Sequence, residues 1–271
     1  MDIKSGTSEA SIEKEGGYIS SLKFSGRDIL LQGDIKNKTH GGCAILFPYP
    51  NRIRDGKYKW NGVEYQLPIN SAPNSIHGLL NDTALEISSY EKNHLVLKGI
   101  ISNPGYPSPL SVALDYTIQD NRFILDLHAE NEGDQQVPVA FGIHPYFLHG
   151  GLWSLEGPEA YSFLKYKDKY FPDGNFYSLP GNELSSDSGR DFDSCFELHD
   201  SLKLKCKDRT IEISGNKTRY YVIYNGKWCR SVSVALEPMS AAPDSFNNHM
   251  GIERLEPGES TDFSISIEGS F

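Results

Sequence analysis

The stretch Leu110-Ser111-Val112-Ala113-Leu114-Asp115-Tyr116-Thr117-Ile118, followed by Gln119-Asp120-Asn121-Arg122 and then Phe123-Ile124-Leu125-Asp126-Leu127-His128-Ala129, consists of two β-rich runs around a short polar turn. Successive side chains of a strand point to opposite faces, so apolar residues at every second position give each run one dry face. Two such runs joined by a tight polar turn predict an antiparallel hairpin. Similar runs occur at Gly17–Phe24, Leu95–Ile101, Thr210–Ser214, Arg219–Tyr224, Ser231–Leu236 and Thr261–Glu268. No long window carries an apolar stripe of helical period with caps at both ends. Turn pairs (Gly16-Gly17, Asp55-Gly56, Asn61-Gly62, Asp173-Gly174, Asn225-Gly226) recur along the chain. The expected class is all-β, a large antiparallel β-sandwich of many strands. With no linker, repeat or low-complexity tract, residues 1–271 are expected to form one domain. The Gly/Ser/Asp-rich segment Leu179–Arg190 reads as a surface loop.

The chain is large enough to bury a core without staples. It carries 26 basic and 36 acidic residues, a formal charge of −10. That balance disfavours phosphate backbones and anionic lipid as partners, so neither nucleic acid nor membrane is expected. The start, Met1-Asp2-Ile3-Lys4-Ser5-Gly6, has no signal-peptide pattern, and no run approaches the roughly 18 apolar residues of a membrane span. Cys43, Cys195, Cys206 and Cys229 are scattered and form no CxxC pair. They read as reduced thiols of a cytoplasmic protein rather than zinc ligands.

Polar clusters interrupt the strand pattern at Asn51-Arg52-Ile53-Arg54, His77-Gly78, His144-Pro145-Tyr146-Phe147, Asp193-Ser194-Cys195-Phe196, and Leu236-Glu237 with Pro243-Asp244 and Asn247 beyond. Each alone is compatible with a structural role. A histidine beside a glycine suits a hydrogen-bonded loop, and His144 lies among aromatics where a satisfied core imidazole is common. A carboxylate ending the Val232–Leu236 run is either solvated or held in a cleft.

Taken together and in this order, the clusters resemble the aldose 1-epimerase (galactose mutarotase) family, with landmarks spread over residues 42 to 247. The resemblance implies a galactose mutarotase-like supersandwich fold and interconversion of the α and β anomers of a hexose. It implies Glu237 as general base, His144 as general acid and His77 assisting near the ring oxygen. It also implies Arg52 and Asp193 holding sugar hydroxyls, with Asn51 beside Arg52. The lead Phe47-Pro48-Tyr49-Pro50 and Ile143 depart from the pattern of members best known for galactose. The chain looks more like a shorter branch of diverse sugar preference.

The chemistry suits those residue types. Opening a cyclic aldose needs a base at the anomeric hydroxyl and an acid at the ring oxygen; reclosure on the other face exchanges their roles. A carboxylate whose basicity rises on burial and an imidazole that gives and regains a proton supply both functions. Neither a metal nor a cofactor is required. Arginine offers a fork of donors to neighbouring hydroxyls, and aspartate accepts from others. Tyr146 and Phe246 are candidates to cover the sugar's apolar face.

Other readings remain open from sequence. His77, His144 and Glu237 could ligate iron or zinc, although no close His-x-His spacing supports this. Asp193 and Glu237 could form a glycosidase pair. A carbohydrate-binding module would need the aromatics but no acid–base pair. Arg54, one alternation from Arg52, could meet a phosphate or sulfonate on the sugar. The expected partner is a monosaccharide, and the expected assembly a monomer or homodimer.

Overall fold

Leu110–Gln119 and Arg122–Asn131 pair as the expected antiparallel hairpin, with Leu114 opposite Leu127 and Tyr116 opposite Leu125. A computed structural model describes residues 1–226 and 228–271. Along this hairpin the apolar positions are buried in alternation: Leu110, Val112, Leu114, Tyr116 and Ile118 on one strand, Phe123, Leu125, Leu127 and Ala129 on the other. Ser260–Ser270 continues the pattern, setting Phe263 against Leu127 and Ile265 against Leu125.

These strands belong to an 8-stranded sheet running Glu86–Tyr90, His94–Ile101, Leu110–Gln119, Arg122–Asn131, Ser260–Ser270, Thr210–Gly215, Leu202–Cys206 and Trp153–Glu156. Facing it is an 11-stranded sheet whose middle is Cys43–Leu46, Gly142–Leu148, Ser233–Met239, Tyr220–Tyr224 and Asp193–Glu197. The dry faces meet in one continuous core, where Phe141 stacks on Phe263 with ring centroids 5.3 Å apart. Each large side chain moved from water into that layer contributes about 1.5–3 kcal/mol. Among the described residues the α-helix is limited to Ser245–Asn248. The molecule is a β-sandwich.

The 11-stranded sheet is apolar on both faces at its centre. Gly142–Leu148 and Ser233–Met239 contain almost no exposed residue. Ile143, Phe147, Val234 and Leu236 face the main core. Tyr146, Ala235, Met239, Val222 and Cys195 form separate clusters on the opposite face. That second face carries the candidate site.

Small departures from the sequence reading have local causes. The strand expected to stop at Leu236 runs to Met239, because Glu237, Pro238 and Met239 stay in register with Val222, Tyr221 and Tyr220. Asp173-Gly174 lies inside the edge strand Pro172–Pro180, not at a turn between strands. The expected loop from Leu179 begins after Pro180 and contains the 3-10 turns Gly181–Glu183 and Ser186–Ser188. The cysteines are all free thiols.

Candidate active site

The register of the central strands places the acid–base candidates side by side. Gly142 pairs with Met239 and Tyr146 with Ala235, an antiparallel frame that sets His144 opposite Glu237. His144 Nε2 lies 3.2 Å from Glu237 Oε1, and both residues are almost fully buried. The neighbouring row extends the same face, with Val222 beside Glu237 and Cys195 beside Val222. On the other flank, His144 pairs with Ala44.

His77 enters from a different segment. Its ring meets His144 edge-on, with centroids 5.3 Å apart and planes at 83°. Its backbone sits in the left-handed region at φ 63°, as does that of Asn51 at φ 52° and Asp244 at φ 63°. Non-glycine residues held there cost about 1–3 kcal/mol each, a strain that clusters at functional sites. The next residue, Gly78 (φ +80°), has no room for a side chain, since a Cβ would stand 2.2 Å from the Phe47 carbonyl oxygen. Hydrogen bonds hold the turn: Leu79 and Leu80 N–H donate to Phe47 O, and His77 N–H donates to Asn51 O at 2.9 Å.

Asn51 therefore serves as a brace. Its carbonyl takes the His77 amide and its Oδ1 takes the Arg52 amide at 2.9 Å. Arg52 pairs across a short ribbon with Ile76, which brings its side chain to the same mouth as His77. Asp244 ties this ribbon down by accepting from Arg54 N–H at 2.9 Å and donating its own amide to Arg52 O.

The polar atoms aimed into the site are unusual for a protein interior. His77 Nδ1, His144 Nδ1 and Glu237 Oε2 are buried and lack a hydrogen-bond partner among the described residues. Buried polar atoms are nearly always paired, so converging unpaired ones mark a place where a polar ligand completes the bonding. Burial pushes the Glu237 carboxyl well above the ordinary carboxylate range; Asp193 adds to the rise and Arg52 opposes it. Burial also pushes His144 down to about 3 and His77 well below its usual value. In this dry contact the neutral carboxyl–imidazole arrangement is favoured over the ion pair.

The remaining expected residues divide. Asp193 opens the strand next to Tyr220–Tyr224 and is exposed at the rim, opposite Tyr224. Tyr146 is buried with its ring parallel to His144 at 4.8 Å, and its hydroxyl donates to Thr39 O at 2.7 Å. It backs the imidazole and offers no free hydroxyl. Phe246 does not line the site: it is fully buried against Tyr49 and Tyr58 in the main core, because its short helix packs inward. Arg54 does not continue an extended strand; it starts a 3-10 turn and pairs with Asp168 at 2.8 Å. Among the described residues no group of three His, Cys, Asp or Glu side chains is arranged to hold a metal ion.

Sequence reasoning did not find several residues around the mouth. The Tyr170 ring lies 3.9 Å beneath the Arg52 guanidinium. Trp228 packs on Tyr146 at 5.1 Å and on His40 at 4.7 Å, and donates its indole N–H to Tyr224 at 3.2 Å. No local motif announces them; they reach the site through strand pairing and loop packing.

Comparison with known proteins agrees with this fold. The family model for aldose 1-epimerase matches residues 1–268. The uncharacterized protein YihR of Escherichia coli strain K12 is 25% identical across 99% of this chain and 92% of its own length. Human galactose mutarotase is 32% identical over 161 residues, 56% of this chain and 46% of its own, so the match spans about half of that relative. The crystal structure of a galactose mutarotase-like protein from Clostridium acetobutylicum superposes with a TM-score of 0.85 at 19% identity, covering 99% of this chain and 94% of that one. Among the described residues no helix is long and apolar enough to cross a membrane. With a match along nearly its whole length, this chain belongs to the aldose 1-epimerase family of isomerases.

Proposed function

We propose that the protein interconverts the α and β anomers of a hexose, with Glu237 and His144 moving the protons. The observation that carries this is the buried contact of 3.2 Å between Glu237 and His144, whose outer atoms Oε2 and Nδ1 are unpartnered. The anomeric hydroxyl and the ring oxygen hang on one carbon. A base and an acid that serve both must therefore reach one hemiacetal, and two side chains that share a buried contact are near enough to do so.

In the ring-opening step, Glu237 takes the proton of the anomeric hydroxyl and His144 gives one to the ring oxygen. The pair holds one proton over its shared contact, and Arg52 favours the ionised carboxyl by its charge. As the aldehyde turns and the ring recloses, Glu237 returns a proton to the carbonyl oxygen and His144 takes one from the hydroxyl that attacks it, so the pair ends as it began. The depressed basicity of His144 makes its protonated form a strong donor. His77, edge-on to His144, can meet a sugar oxygen through its free Nδ1. Arg52 and Asp193 orient the outer hydroxyls, while Tyr146 keeps the imidazole plane fixed.

Polarimetry of freshly dissolved sugars tests the proposal across glucose, galactose and phosphorylated or sulfonated hexoses. Faster approach to the equilibrium rotation for at least one sugar, abolished by Glu237→Gln, is the expected result. A uniform absence of acceleration together with tight sugar binding would assign the site to a carbohydrate-binding module instead.

A further inference from the structure

Arg52 on the short ribbon and Arg54 at the start of the 3-10 turn after it are received by consecutive aromatics. The Arg52 Cζ lies 3.9 Å from the Tyr170 ring centroid, and the Arg54 Cζ lies 3.9 Å from that of Phe171. Both rings belong to the turn between the strands Ala160–Tyr166 and Pro172–Pro180, at the far edge of the 11-stranded sheet. The turn is closed by Lys167 N–H donating to Phe171 O at 2.9 Å and by Tyr170 N–H donating to Asp168 Oδ1 at 3.2 Å. Asp168 pairs with Arg54 at 2.8 Å.

The two arginines are used differently. Arg54 is neutralised by Asp168, with Asp244 4.0 Å away. Arg52 has no ion pair and no side-chain hydrogen bond among the described residues; the Tyr170 ring face is what it rests on. A guanidinium on an aromatic face keeps all of its N–H groups free in the ring-parallel plane. Without that floor the long side chain would sample many rotamers and lose entropy on each binding event.

We propose that Tyr170 is a positioning residue for sugar binding: it holds the Arg52 guanidinium flat across the mouth of the site. Arg54, Asp168 and Phe171 anchor the turn that presents it. The proposal rests on Arg52 contacting sugar hydroxyls, as described above. Its signature is a change carried through Arg52 that falls mainly on KM, because the turn touches neither Glu237 nor His144 and reaches kcat only through the Arg52 charge.

The test is a cycle of Tyr170→Leu, Arg52→Leu and the double variant, with Tyr170→Phe as the conservative control and polarimetry as the assay. Tyr170→Leu should raise KM about three- to tenfold, the range expected for a cation–π contact at a partly desolvated site, with kcat changing by a smaller factor than KM. Tyr170→Phe, which keeps the ring, should restore the wild-type KM. In the Arg52→Leu background, Tyr170→Leu should add nothing. Full additivity of the two substitutions, or a KM that responds to Arg52→Leu but not to Tyr170→Leu, would overturn the role of Tyr170 alone. Insensitivity of KM to Arg52→Leu would remove both that role and the binding role of Arg52.

Discussion

Glu237 Oε1 and His144 Nε2 face each other at 3.2 Å from adjacent strands, while Glu237 Oε2 and His144 Nδ1 are buried without a hydrogen-bond partner among the described residues. Each residue thus has one atom tied to its partner and one without a protein partner among those residues. The first prediction concerns the carboxyl. Glu237→Gln keeps the shape and removes the base, so kcat should fall by about 10²–10⁴-fold, the usual worth of a positioned general base. Circular dichroism should stay unchanged. Polarimetric activity within a factor of two of wild type would remove Glu237 from the mechanism.

The second prediction follows from the direct contact. Residues that handle one proton together act as a unit, so their losses do not multiply. His144→Asn should cost a similar factor, and the double variant should be about as slow as the worse single one. A double variant slowed by the product of the two factors would mean that the groups act independently.

The third prediction concerns pH and stability. His144 is pushed down to about 3 in the folded protein from an ordinary value of 6.5. Between those limits the unfolded chain binds a proton that the folded chain refuses, so stability falls as pH drops below 6.5, by at most about 1.4 kcal/mol per pH unit. His77 contributes in the same direction. Glu237 has the opposite sense: its raised folded value means that stability erodes as pH climbs above the ordinary carboxylate range. His144→Asn should therefore flatten the decline in Tm between about pH 6.5 and pH 5, by a few degrees. A variant that declines as steeply as wild type would show that the imidazole is charged in the folded state.

The fourth prediction isolates the strained turn. Gly78→Ala places a Cβ 2.2 Å from the Phe47 carbonyl oxygen at a φ of +80°. Backbone must move to relieve this, and a loss of about 2 kcal/mol or more is expected from strain of this kind. Since His77 is the adjacent residue, activity should fall as well. Urea titration reads the first effect; a midpoint equal to wild type would show that the turn can relax freely.

How much of this was legible in the sequence depended on whether a strand has one dry face or two. The Leu110–Ala129 hairpin alternates because its sheet buries one face, and the pairing of its two strands followed from pattern alone. Gly142–Leu148 and Ser233–Met239 are buried on both faces, so their near-continuous apolar runs do not reveal which side chain faces which way. His144 and Glu237 are singled out by the family resemblance of their clusters, but their contact required the pairing of strands nearly a hundred positions apart. Phe246 misled because nearness in sequence to Asp244 said nothing of the inward packing of its helix. Arg54 misled because the strand that would have carried the alternation ends at Ile53. Tyr170 and Trp228 had no motif at all; their roles exist only in three dimensions.

The burial of the central strands on both faces has a further consequence. Ile143, Phe147, Val234 and Leu236 lock the backbone that carries His144 and Glu237, so a change there is paid in stability before it can tune chemistry. Arg52, Asp193, Tyr170 and Trp228 belong instead to ribbon, strand end and loops at the periphery. In the proposed function, proton handling and sugar choice are thereby divided between a rigid chassis and an exchangeable collar. Exchanging the collar segments between relatives should transfer substrate preference while the catalytic heart stays as it is.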